Sequence, residues 1–128
     1  MVKASVFDSS AVLAAIFSEP GAERVVDLLD GGLLSTVNLT EIHTRLLVDG
    51  RSPERAWNSI GTLGLYLCTF DDAQARTAAE MISITKPFGL SLGDRACFAL
   101  AIERNAKVYT TDKAWKNLSL GVEVEVIR

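Results

Sequence analysis

Short runs of β-branched and aromatic residues alternate along this chain with longer stretches whose apolar positions recur every three or four residues. That rhythm predicts strands alternating with helices. Val2 to Phe7 reads as a strand ending at Asp8, and Ser9 and Ser10 are good caps for the apolar helical run Ala11 to Phe17. After Pro20 and Gly21, residues Ala22, Val25, Val26, Leu28 and Leu29 keep helical spacing until Gly31 and Gly32 stop the run. A short strand from Leu33 to Val37 follows. Asn38, with Glu41 three residues on, reads as a capping box opening the helix that carries Ile42, Leu46 and Leu47 and ends near Gly50. Pro53 starts a further helix, running toward Gly61 or Gly64.

The second half repeats the pattern. Leu65 to Phe70 is a third strand, and Asp71 or Asp72 caps a long Ala-rich helix that Pro87 and Gly89 terminate. Ser91 with Asp94 is a second start of capping-box type, for a helix whose Ala96, Phe98, Ala99, Leu100 and Ile102 read as largely buried. Lys107 to Thr111 is a fourth strand, ending at Asp112. Val122 to Ile127 alternates valines with Glu123 and Glu125, as an edge strand with one wet face would. The class is α/β, with a mostly parallel, twisted sheet flanked by helices on both faces.

Composition narrows the class without changing it. The 128 residues suit one domain spanning 1–128, and 48% hydrophobic with 23% charged residues is the balance of a globular core. No Ser, Gly, Pro or single-charge tract marks a linker, and no internal repeat is visible. The apolar stretch Ala11 to Phe17 is far too short to span a bilayer, and Asp8 precedes it where a leader peptide would carry positive charge; the expectation is a cytoplasmic protein without a membrane segment. Cys68 and Cys97 belong to no CxxC or Cys/His cluster, so they read as small core hydrophobes rather than zinc ligands or a disulfide framework. A net charge of -3 argues against a general polyanion binder.

Ligands of an open parallel sheet bind beyond the carboxyl ends of its strands, so the polar residues expected there carry the chemistry. Asp8 ends the first strand and Asp112 the fourth, while Glu41 and Asp94 each lie in the first turn of a predicted helix. Brought together, such acids repel: two carboxylates about 5 Å apart at an effective dielectric near 20 cost roughly 3 kcal/mol. Protons, a basic partner or divalent cations must offset that cost, and oxygen donors without His or Cys favour magnesium or manganese. A hard metal in an acidic pocket points to phosphate chemistry with a metal-activated water. Each acid also has a plain reading, Glu41 and Asp94 as N3 caps, Asp8 and Asp112 as strand terminators and caps.

The segments FDSSAVLA around Asp8, NLTEI around Glu41, LSLGDRACFALA around Asp94 and VYTTDKAW around Asp112 resemble the four acidic motifs of PIN domains, most of all those of VapC-type toxins. The resemblance runs from Val2 to Trp115. It implies a PIN-like fold and a magnesium- or manganese-dependent ribonuclease of a toxin–antitoxin module, with Asp8, Glu41, Asp94 and Asp112 as metal ligands and Thr110 as a hydroxyl orienting a ligand or water. It further implies products with a 5′-phosphate and a 3′-hydroxyl, a homodimer, and a cognate VapB-like antitoxin whose extended C-terminal segment occludes the cleft, often with an arginine among the acids.

An acidic protein that receives RNA needs local cations, and Arg95, Lys113 and Lys116 are the sequence neighbours of the motif acids; the plain reading makes them solvated helix positions. His43 reads as a surface or packing residue, and Trp57 and Trp115 as buried. Two rivals remain: a receiver-like signalling module, which also places aspartates at the carboxyl edge of a parallel sheet, and an inactive PIN-like scaffold that binds RNA or protein without cleaving. Phosphotransfer from a small donor separates the first, and metal-dependent cleavage the second.

Overall fold

The computed structural model describes residues 3–128, so the expected strand start at Val2 lies outside the described residues. Five strands, β1 (Ser5–Phe7), β2 (Leu33–Ser35), β3 (Tyr66–Cys68), β4 (Lys107–Thr110) and β5 (Val124–Val126), form one sheet in the order β3-β2-β1-β4-β5. All four pairings are parallel. The order disposes of the receiver-like rival, because that doubly wound family runs 2-1-3-4-5, with β1 beside β3, whereas here β1 lies between β2 and β4.

Strand periodicity divides the core in two. Val6, Leu33 and Val108 face α4 (Asp72–Glu80) and α6 (Leu92–Arg104), packing with Ala78, Met81, Phe98 and Trp115. Their neighbours Phe7, Leu34 and Tyr109 point the other way, against Val12 of α1 (Ser9–Ile16), Ile42 and Leu46 of α2 (Thr36–Val48) and Ile60 of α3 (Pro53–Gly61). Both sheet faces are covered. β5 is an edge strand as its alternation predicts, and its wet face is closed by Lys107 of β4, which pairs with Glu125 at 2.8 Å and Glu123 at 3.4 Å.

Three expectations change. The run from Ala22 to Leu29 is not an α-helix but two 3-10 turns, Ala22–Arg24 and Val26–Leu28. Adjacent β-branched Val25 and Val26 disfavour a helix, and Val25, with φ at -122°, is buried between the turns while Val26 stays exposed. The long helix after Asp71 breaks at Met81, continuing as α5 (Ile82–Thr85) and a 3-10 turn over Lys86–Phe88. There the Ala-rich sequence gives way to Ile82, Ile84 and Thr85, and the Thr85 hydroxyl donates to the Met81 carbonyl at 3.1 Å. Finally, α2 begins at Thr36, with Ser35 as its cap, so β2 passes directly into helix. Asn38 and Glu41 therefore sit inside α2, free of the capping role, whereas Ser91 and Asp94 do form a reciprocal capping box on α6.

Leu34, wholly buried in the α1/α2 core, is expected to cost about 2 to 5 kcal/mol when replaced by Ala. Val48→Ala, at a position 79% exposed, should stay within about 0.5 kcal/mol. Urea unfolding of both variants checks the assignment; equal losses would contradict it.

Candidate functional site

Because the strands are parallel, the carboxyl ends of β1, β2 and β4 open on the same edge, and the chain turns into a helix or 3-10 turn after each. Asp8 leaves β1 as the cap of α1, accepting from the Ala11 amide through Oδ1 at 2.8 Å. The same oxygen accepts from the Ser10 hydroxyl at 2.7 Å, and Oδ2 accepts from Thr110 Oγ1. Each hydroxyl is held in turn by backbone beyond β4. The Thr111 amide donates to Ser10 Oγ and the Asp112 amide to Thr110 Oγ1, both at 3.0 Å. A single-proton hydroxyl that accepts from backbone has its own proton directed at Asp8, so both are oriented donors.

The other acids come in from the sides. Glu41, on the second turn of α2, is exposed, and its Oε1 accepts from Ser9 Oγ and from Asn38 Nδ2, the latter at 2.9 Å. Asp94 is half-buried at the start of α6, with Oδ2 accepting from the Ser91 amide at 3.0 Å. Asp112 caps the 3-10 turn Lys113–Asn117 through the Ala114 amide at 3.0 Å. Together Asp8, Glu41, Asp94 and Asp112 line a cleft of about 440 Å³ with Ser9, Ser10, Leu13, Thr111 and Trp115, and no Lys or Arg is in its lining. A larger groove of about 640 Å³ runs along the β3 edge, where Glu103 already has Arg104 beside it at 3.8 Å. The unbalanced charge is in the acidic cleft.

That imbalance acts on the titrating groups. Burial pushes the Asp8 carboxyl up to about 6, against the lowering effect of the Thr110, Ser10 and Ala11 hydrogen bonds, and the charge of Asp94 adds to the rise. Asp94 is raised as well, by burial first and by Glu41 and Asp112, with the Ser91 bonds opposing. The buried Cys97 thiol beneath them is pushed well up by burial and by the charges of Asp8, Asp94 and Glu41. The donor set is oxygen only, the chemistry of a hard divalent cation. Among the described residues no three His, Cys, Asp or Glu side chains already form a metal-holding group, so the acids stand on the walls of one cleft rather than in a finished coordination sphere.

The family model for the PIN domain matches residues 5–120. The chain belongs to the PIN-domain family. Its fold is shared by solved structures along nearly the whole chain. VapBC2 from Rickettsia felis, bound to a DNA fragment from its promoter, has a TM-score of 0.75 at 17% identity over 98% of both chains. FitAcB from Neisseria gonorrhoeae has a TM-score of 0.66 at 23% identity, covering 94% of this chain and 95% of that one. VapBC-5 from Mycobacterium tuberculosis, a member of the VapBC family of toxin–antitoxin systems, gives 0.65 at 22% identity over 98% of both. No curated protein sequence matches the chain.

In this PIN domain the sequence neighbours of the acids part company. Arg95 is turned away from the cleft, its Nη1 donating to the Ala78 carbonyl at 3.0 Å, because α6 packs closely on α4 there. Lys113 and Lys116 are exposed on the turn after Asp112 and form no ion pair among the described residues. Trp115 is buried against Phe98, ring centres 4.7 Å apart, while Trp57, expected inside, is 50% exposed with His43 edge-on at 5.5 Å. No described helix is long and apolar enough to cross a membrane.

Four residues beyond the acids contact them and were missed as site residues in the sequence: Ser9, Ser10, Asn38 and Gly93. The first three read as helix caps in sequence, but Asp8 and Ser35 do the capping, which frees these side chains for the acids. Gly93 carries a signal of its own, a glycine inside the first turn of a helix, where it costs about 1 kcal/mol relative to Ala without other reason to be there.

A carboxyl raised by folding holds its proton more tightly in the folded state, so its contribution to stability falls as pH climbs from 3.8 to about 6 and stays lost above that. The stability of Asp8→Asn, which cannot ionise, relative to wild type should therefore rise between pH 4 and pH 7.5, by at most about 3 kcal/mol, whatever the substitution costs in hydrogen bonds at either pH. Denaturant titrations across that range test it; a gap independent of pH would contradict the buried, raised Asp8.

Proposed function

We propose that this PIN domain is a divalent-metal-dependent endoribonuclease and the toxin of a VapBC-type toxin–antitoxin pair. One observation carries the reading: four carboxylates from four separate segments line a single cleft in which no cation offsets them. Such an arrangement is unfavourable by itself and becomes favourable with a divalent cation present. Kinship of fold with VapBC and FitAcB structures supports the toxin assignment.

Magnesium or manganese would be held by Asp8, Glu41, Asp94 and Asp112, and when bound it supplies an activated water and shielding of the phosphodiester charge. Asp8, buried and tied by two hydroxyls and an amide, is the rigid member of the set. Thr110 and Ser10 favour its ionised form against burial, which keeps it a ligand at neutral pH. Asp112 and Glu41 stand at the exposed mouth, where substrate phosphates would pass. Lys113 and Lys116, exposed cations beside Asp112, are the residues placed to draw in the RNA backbone; Arg95, bound to Ala78, is not. The products carry a 5′-phosphate and a 3′-hydroxyl. A VapB-like antitoxin blocks the cleft by placing an arginine among the acids, offsetting the charges the metal otherwise offsets. The working unit in this reading is a homodimer in the cytoplasm.

Purified protein is expected to cut total RNA at discrete sites with Mn²⁺ and to stop with chelator. Asp94→Asn should lower the rate by about 100-fold or more, at or beyond the range for loss of groups that merely support a metal ligand. Mn²⁺ should also raise the melting temperature of wild type and do so less in the variant. Metal-independent cutting, or equal cutting by the variant, would overturn the nuclease reading; metal binding with no cutting, in protein shown by mass spectrometry to be free of antitoxin, would favour the inactive scaffold.

A further inference from the structure

We infer that Asn38 is a positioning residue for the acidic site: it clamps the Glu41 carboxylate against the first turn of α6, and Gly93 provides the clearance that lets the carboxylate lie there. The inference rests on the proposed metal-dependent reading, since Glu41 is one of the acids set around the cation.

Asn38 lies one helical turn before Glu41, so the two share a face of α2. It is buried to 1% exposure, and both protons of its amide nitrogen are spoken for, one by Glu41 Oε1 at 2.9 Å and one by the Gly93 carbonyl at 3.0 Å. Its own Oδ1 is buried with no partner. The reverse orientation of the amide would set three acceptors, its oxygen, the carboxylate and the Gly93 carbonyl, against one another, so the chemistry settles which way the group points. A side chain kept only to fill space at this position would leave no buried acceptor unpaired. What the asparagine gains for its idle oxygen is a hold on two elements at once.

Gly93 completes the clamp from the far side. A Cβ at that position would overlap both oxygens of the Glu41 carboxylate, so any larger residue displaces the acid. Ser9 Oγ donates to the same Glu41 oxygen from α1. An exposed glutamate on a helix ordinarily samples many rotamers; this one is held by α1, α2 and α6 together, with its ordering already complete before a cation or substrate arrives.

The test has one readout that needs no metal and one that does. In metal-free protein, side-chain NMR couplings of Glu41 should report a single rotamer in wild type and rotamer averaging in Asn38→Ala and in Gly93→Ala; averaging in wild type would overturn the clamp. In calorimetric titration with Mn²⁺, each variant should bind about 10- to 100-fold more weakly than wild type. In a Glu41→Gln background the same two changes should make less than about a twofold difference, because their effect runs through Glu41. Equal losses with and without Glu41, or unchanged affinity in both variants, would reduce Asn38 to a structural tie between α2 and α6 and sink its positioning role. Gly93→Ala keeps the test decisive should Asn38→Ala fail to fold. Absence of Mn²⁺ binding by wild type would remove the metal reading, and the couplings alone would then decide the clamp.

Discussion

The rest of this molecule depends on holding one carboxylate, Asp8, inside the protein at the end of the central strand. Burial favours its protonated form, and the Ala11 amide and the hydroxyls of Ser10 and Thr110, themselves braced by backbone amides following β4, act against that. These bonds tie the end of β1 to the start of α1 and to the end of β4. The group that would be least stable in the fold is thus the one that fastens three of its segments together.

Around that fixed point the charge problem sets the architecture. Burial raises Asp94 and the Cys97 thiol below it, the charge of Glu41 adds to both rises, and nothing in the cleft lining is cationic. Concentrating negative charge this way is unfavourable, and any positive charge brought into the cleft would offset it. The fine structure agrees with this: Glu41 is pinned by Asn38 and Ser9 rather than left to swing away from its neighbours, which is where repulsion would otherwise drive an exposed side chain.

Much of this was legible along the chain because it depends on local rules. Strand and helix periods, the capping box at Ser91 and Asp94, and the alternation of Val124 and Glu125 are each decided by near neighbours, and each appears as read. The misreadings share a cause. Asn38 and Glu41 have the spacing of a capping box, but β2 runs into helix at Thr36, so the cap falls at Ser35, three residues earlier, where β2 pairs with β1 and β3. Val25 and Leu29 have helical spacing, but two 3-10 turns bury both side chains equally well. Arg95 adjoins an acid in sequence and points away from it, since successive positions of a helix face different directions.

The sequence by itself determined the α/β class, the parallel sheet, the covered faces and the four acids, because periodicity, caps and residue chemistry are properties of single segments. The tertiary structure alone decided that β1 lies between β2 and β4, which is what carries acids from residues 8 to 112 into one cleft. It also decided the use of Ser9, Ser10, Asn38 and Gly93, whose partners lie between 2 and 101 positions away. Long-range contact is not written in any local pattern; it follows from which strands pair, and that is settled by the packing of both cores at once.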